Sequence, residues 1–136
     1  MIPDLPADIE QIKGFLAPDE AQCLYRHALD ASARGAVLEI GSYCGKSTIY
    51  LGLACRRNDS TVFALDHHRG SEEHQRGEYF HDPDLYDAGE GQVDTFREFR
   101  RNIRSAGLDE TVVPLVAGSD AAARQWQTPL AMVFID

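Results

Sequence analysis

Two spacings of apolar residues alternate along the chain. Four short runs, Ala36–Ile40, 61–65, 111–117 and Leu130–Ile135, are almost continuously apolar, the pattern of strands buried on both faces. Between them the apolar positions fall three and four apart, as on helices with one buried side. Pro18, Asp19 and Glu20 mark a helix start; Leu24, Ala28, Leu29 and Ala31 form its stripe, and Gly35 ends it. Lys46–Arg57 turns Ile49, Leu53 and Ala54 inward, and Asn58, Asp59 and Ser60 make the turn that follows. Val93, Phe96, Phe99 and Ile103 predict another helix face; Arg97, Arg100, Arg101 and Arg104 occupy its other sides, and Gly107 is its stop. Ser119 and Asp120 begin a short helix predicted to reach Trp126, and a weaker periodicity over 5–15 predicts one more helix ahead of all these.

Strands alternating with helices predict an α/β fold with a parallel sheet and right-handed crossovers. The organisation read from this is a pair of N-terminal helices over 1–35 and a sheet domain over 36–136. Residues 67–91 interrupt the rhythm. They are polar, rich in His, Asp, Glu and Gly, and read as a long inserted loop with a short helix over 72–76. A loop of that length inside a compact domain is often a cover or a binding segment.

With 136 residues the chain is large enough for one domain with a core and too small for two. Hydrophobic residues at 43% and charged residues at 26% fit a globular protein. No stretch is apolar enough to span a bilayer, and the N-terminus lacks the basic start and apolar core of a signal peptide. The expectation is a cytoplasmic protein without a membrane partner. A net charge of −9 repels phosphate backbones, so nucleic acid is not an expected partner. Cys23, Cys44 and Cys55 are an odd set, read as reduced thiols serving as small buried apolar side chains.

Candidate chemistry concentrates at Glu39-Ile40-Gly41-Ser42-Tyr43-Cys44-Gly45-Lys46-Ser47-Thr48, where the first strand turns into a helix. Such a corner holds nucleotide-like ligands in open α/β sheets. A dinucleotide loop needs glycine two positions after the first, where this chain has Tyr43, which argues against NAD or FAD. Gly45-Lys46-Ser47 reproduces the end of a phosphate-binding P-loop, but only Ser42, Tyr43 and Cys44 separate the glycines where that template has four residues. In the P-loop reading Lys46 contacts phosphate and Asp136 holds magnesium. In the blander reading Lys46 is a solvated lysine on a helix's first turn. A third template, S-adenosylmethionine (SAM), carries a sulfonium, an amino acid end and a ribose with free hydroxyls. It calls for a glycine turn and for carboxylates to accept from its hydroxyl and ammonium donors. Glu39 and Asp66 close consecutive strands one crossover apart, which sets both acids at the carboxyl edge of the sheet.

These residues resemble the class I SAM-dependent methyltransferases. They are similar to the small-molecule O-methyltransferases of the catechol type and of the cephamycin- and macrocin-biosynthesis type. The resemblance runs from 37 to 136 and implies a Rossmann-like three-layer sandwich with a mostly parallel sheet. It gives Gly41, Ser42, Tyr43, Gly45 and Ser47 the surroundings of the methionine portion and Asp66 the ribose hydroxyls. It sets Ser119 and Asp120 against the adenine, and Asp136 where metal-dependent members begin a site for a divalent ion such as magnesium. Glu39 and His67, beside these segments, complete the expected cofactor-binding set. The family sheet has seven strands, of which this chain supplies the first four. The fourth strand would then present an unpaired apolar edge, expected to be covered by further polypeptide or by a second copy of the chain in a homo-oligomer.

His67, His68, His74 and His81, with Glu72, Glu73, Asp82 and Asp84, also invite a metal reading, although zinc sites show tighter ligand pairs. The alternative is a solvated loop over the ligand, with His67 beside the cofactor or acting as a general base on a substrate hydroxyl. The function implied is methyl transfer from SAM to a hydroxyl of a small molecule, with this chain carrying the cofactor-binding half and its catalytic residues unassigned. A non-catalytic SAM-binding module and a P-loop nucleotide hydrolase stand as alternatives.

Overall fold

The computed structural model describes residues 1–70, 77–78 and 81–136. In chain order the elements are α1 (Pro18–Ser32), β1 (Ala36–Ile40), α2 (Lys46–Arg57), β2 (Val62–Asp66), β3 (Tyr86–Asp87), β4 (Gln92–Val93), α3 (Phe96–Ser105), β5 (Val112–Val116), α4 (Ser119–Ala123) and β6 (Leu130–Ile135). Four of these strands form one parallel sheet in the order β5-β2-β1-β6, and β3 pairs with β4 antiparallel apart from it. This is an α/β fold whose parallel sheet is flanked by helices.

The pleat explains why the strands read as continuous apolar runs. Val37, Val62, Ala64 and Val112 face a core shared with α1, α2 and α3 through Leu24, Ala28, Ile49, Leu53, Phe99 and Ile103. Leu38 and Leu65 point the other way and are also buried. That second face is thinly covered among the described residues: Trp126 meets Phe63 edge-on at 5.3 Å, while Val133 and Ile135 stay 49% and 72% exposed. β6 lies at the sheet's edge beside β1, the unpaired position that the resemblance implies for the fourth strand.

Three expectations are corrected. The helix predicted over 5–15 is a single 3-10 turn at Ile9–Gln11, so 1–35 holds one α-helix. Asp8 gives that turn no side-chain cap, Gly14 at φ +158 leaves helical geometry, and Ile2 and Ile9 reach the core one by one. Val93 is not on a helix; it sits in β4, packed with Cys44 and Leu85, and α3 starts only after the Asp94 carboxylate accepts the Phe96 N–H at 2.9 Å. The last short helix ends at Ala123, before Trp126. The helix expected over 72–76 lies outside the described residues. The described remainder of the insert is more ordered than a plain loop. Asp82 caps a 3-10 turn at Pro83–Leu85, and backbone bonds from Asp94 to Leu85 and from Thr95 to His68 return it to the body.

The cysteines divide. Cys44 and Cys55 are buried and burial pushes both thiols up to about 12, whereas Cys23 is exposed on α1, contrary to the expectation of burial. A thiol reagent at about pH 8 is therefore expected to modify Cys23 rapidly and the other two only on unfolding, because thiolate is the reactive form. Rapid labelling of two or three cysteines, counted by mass, would contradict the buried placement.

Candidate functional site

The turn after β1 is shaped by two glycines and one strained tyrosine. Gly41 has φ +92, and a Cβ there would come within 3.3 Å of the Asp136 carbonyl oxygen where β6 ends beside it. Gly45 has φ +94 and backs onto Phe99, with 3.2 Å left for a Cβ. Both conformations cost a side-chain-bearing residue about 1 kcal/mol or more. Tyr43 nevertheless takes φ 50. Its N–H donates to Asp66 Oδ2 at 2.8 Å, and Asn102 Nδ2 donates to the neighbouring Cys44 carbonyl at 2.9 Å, tying the turn to β2 and α3.

Asp66 is the hinge of this arrangement. Its second oxygen, Oδ1, accepts the His68 N–H at 2.8 Å. A carboxylate has about four acceptor positions, so two backbone bonds leave capacity for a ligand's donors. The side chain is 17% exposed, and that exposed part borders a cavity of about 650 Å³.

One wall of the cavity is the turn itself: Gly41, Ser42, Tyr43, Lys46 and Ser47. Asp66 and His67 form its floor at the end of β2, Ala117, Gly118 and Ser119 approach after β5, and Asp136 closes the end of β6. Ser42 Oγ is buried without a hydrogen-bond partner among the described residues, a state that costs free energy unless something enters to satisfy it. The remaining wall comes from Lys13, Gly14, Phe15 and Leu16 and from Thr95. Lys13 is held by Asp82 at 2.5 Å across 69 positions of sequence, which pins the N-terminal segment to the insert. That ion pair raises the Lys13 pKa and lowers that of Asp82.

Of the residues singled out from sequence, the structure brings Gly41, Ser42, Tyr43, Ser47, Asp66, His67, Ser119 and Asp136 to one cavity. Three stand apart from it. Glu39 shares the helix-facing side of the pleat with Val37, is fully buried, and accepts hydrogen bonds from the Ser47 and Thr48 hydroxyls. Burial pushes its carboxyl up to about 7; the two hydroxyls oppose the rise, and Asp136 and Asp66 add to it. Gly45 is turned to Phe99, and Asp120 is exposed on the first turn of α4, one residue beyond the cavity rim.

The adjacent histidines take opposite environments. His67 is half exposed, and its Nδ1 accepts the Arg69 N–H at 2.9 Å. A neutral imidazole held that way carries its proton on Nε2, so it offers the cavity a donor rather than a base. His68 is buried against Phe96 and Phe99, with Nδ1 2.7 Å from Thr95 Oγ1, and burial lowers its pKa. Among the described residues no three His, Cys, Asp or Glu side chains converge in a way that could hold a metal ion. Asp136 has no such set of partners among the described residues, and His74, Glu72 and Glu73 of the insert lie outside them. Asp136 is half-buried, and its carboxyl is raised by that burial and by Asp66 and Glu20.

Sequence reasoning missed the 13–16 wall and Thr95, and of its two readings of Lys46 the solvated one does not hold, since that side chain is only 8% exposed. No local pattern marks these residues; they reach the cavity only through the tertiary path of the N-terminus and the insert. No helix among the described residues is long and apolar enough to cross a membrane.

Comparison with known proteins agrees with this geometry. The fold resembles the O-methyltransferase from Bacillus cereus in complex with SAH at TM-score 0.66 and 20% identity, covering 97% of this chain and 55% of that one. It likewise resembles a putative O-methyltransferase from Klebsiella pneumoniae at TM-score 0.61 and 18% identity, with 97% and 54% covered. The O-methyltransferase TomG from Streptomyces achromogenes, involved in tomaymycin synthesis and solved with SAM, aligns at TM-score 0.59 and 18% identity, with 90% and 45% covered. The chain thus spans about half the length of the solved structures it matches. A sequence profile described as a methyltransferase domain matches residues 38–136, from the strand that carries the turn to the carboxylate that closes the cavity. On that match, over well more than half its length, the chain belongs to the methyltransferase domain family.

Proposed function

We propose that this chain forms the cofactor-binding half of a SAM-dependent O-methyltransferase acting on a hydroxyl of a small molecule. The observation that carries the reading is the cavity itself. A glycine turn with a buried Ser42 hydroxyl that has no partner among the described residues is bonded to a strand-end carboxylate, Asp66, with acceptor capacity to spare. Its volume of about 650 Å³ is that of a small-molecule site.

When bound, SAM supplies an electrophilic methyl on its sulfonium. In this reading Asp66 accepts from the ribose hydroxyls, and Gly41, Ser42, Tyr43 and Ser47 surround the methionine portion. Ser119 stands at the adenine end, and His67 donates from Nε2. The chain's work is orientation: it fixes the donor so that an acceptor oxygen lies in line with the methyl carbon. The acceptor class is proposed from the likeness to O-methyltransferases. Cover for Val133 and Ile135, from further polypeptide or a second copy, belongs to the same reading, as does a reducing cytoplasmic setting, supported by the free cysteines.

Isothermal calorimetry with SAM, S-adenosylhomocysteine and ATP tests it. The expected result is binding of both adenosyl amino acids and none of ATP. Binding of ATP alone would replace this reading with a nucleotide-hydrolase one.

A further inference from the structure

Lys46 opens α2 directly after Gly45 with a side chain only 8% exposed. Burying an ammonium is costly unless its three donors are satisfied. Its ion-pair partner is Glu10, at 3.4 Å, and that carboxylate is 58% exposed. That contact uses one of the ammonium's three donors and leaves it able to take a further acceptor. The lysine borders the cavity beside Ser42, whose buried hydroxyl has no partner among the described residues, and beside Ser47. The other ammonium on the cavity wall, Lys13, is already committed to Asp82 at 2.5 Å and Asp84 at 3.4 Å.

The remaining charge around the cavity is negative. Asp66 and Asp136 both line it, and the chain as a whole carries a net charge of −9. Such a cavity attracts a sulfonium and an ammonium but repels the carboxylate at the amino acid end of the same ligand. A cation set at the turn removes that conflict. It also gives the ligand's two ends different partners: hydroxyl donors go to Asp66, and the acid goes to the cation.

We propose that Lys46 binds the α-carboxylate of the cofactor's amino acid end, with the Ser42 hydroxyl as a second donor to it. This rests on the reading of the cavity as a SAM site. The role differs from a phosphate contact because it requires a single carboxylate and no wide nest of backbone N–H groups.

The test uses the whole chain and two probes, S-adenosylhomocysteine and 5′-methylthioadenosine, which keeps the nucleoside and sulfur but lacks the amino acid end. Lys46→Met is expected to weaken S-adenosylhomocysteine roughly ten- to hundredfold in calorimetry, as loss of a charged hydrogen bond does. The same variant should bind 5′-methylthioadenosine within about twofold of the wild type, and Lys46→Arg should recover most of the lost affinity. Unchanged S-adenosylhomocysteine binding in Lys46→Met overturns the proposal. So does a parallel loss of both probes, which would mark Lys46 as merely structural. If the unsubstituted chain binds neither probe, the cofactor reading fails first; if it binds both and only the Lys46 variants behave alike, the cofactor reading stands and this assignment falls.

Discussion

Replacing Asp66 with alanine is expected to lower affinity for S-adenosylhomocysteine by about 3 kcal/mol, near the upper limit for losing hydrogen bonds to a charged group. The magnitude follows from a double duty. The carboxylate borders the cavity, and it also accepts the N–H of Tyr43 at 2.8 Å and the N–H of His68 at 2.8 Å. Alanine removes the ligand's acceptor and at the same time takes away the acceptor of the Tyr43 N–H, in a turn held at φ 50. Asp66→Asn keeps one acceptor oxygen but turns an amide NH2 toward one of two N–H donors, so it should fall between alanine and the wild type. Calorimetry gives the affinity, and a melting curve on each variant shows that the sheet persists. An Asp66→Ala protein that binds as tightly as the wild type would remove this residue from the site.

The second large effect is on stability and its pH dependence. Glu39 is fully buried and its carboxyl sits at about 7, against 4.5 for the ordinary group. Below the lower value the acid is protonated whether the chain is folded or not, and it contributes no penalty. Between the two, the folded chain keeps a proton that the unfolded chain has released, so stability falls as pH rises; above the upper value the loss is complete. At 1.36 kcal/mol per unit the total is about 3 kcal/mol. His68, lowered by burial, runs the other way: its contribution is present above the usual histidine range and is lost on acidification. The difference between wild type and Glu39→Gln cancels that term. Glutamine stays neutral, accepts from one of the Ser47 and Thr48 hydroxyls and donates to the other. Urea unfolding across pH should therefore show the variant gaining on the wild type by about 3 kcal/mol from acid to mildly alkaline conditions. A gap that does not move with pH would mean that Glu39 titrates normally.

The sheet was legible because parallel strands covered by helices leave a simple trace, short apolar runs separated by helical spacing. The apolar runs carry no strand order; the resemblance implied only that the fourth strand would be unpaired, and β6 is an edge strand beside β1. The N-terminal fifteen residues were not legible. Their apolar side chains are spaced like a poor helix, yet Ile2 and Ile9 pack singly and only a 3-10 turn forms. Val93 misled for a related reason: it lies at helical spacing from Phe96, but one residue buried in a two-residue strand leaves no periodic mark.

At the site, the contiguous motif was readable and the residues delivered by distant segments were not. Glu39 is the instructive case. An acid near a strand's end invites a ligand role, but the alternation of the pleat sets it with Val37 on the helix side. The hydroxyls of Ser47 and Thr48, a turn of chain later, were the available sign that its partners lay within the protein.

The bridge between Lys13 and Asp82 has a consequence for the order of unfolding. Both side chains are about one-third exposed, at 32% and 27%, so solvent screens the pair and it contributes at most about 1 kcal/mol. The N-terminal part of the cavity lining is thus tied to the insert by a solvent-screened pair, while Asp66 belongs to the packed sheet. On heating or in denaturant, that contact between the N-terminal segment and the insert is expected to loosen before the strands beneath it do.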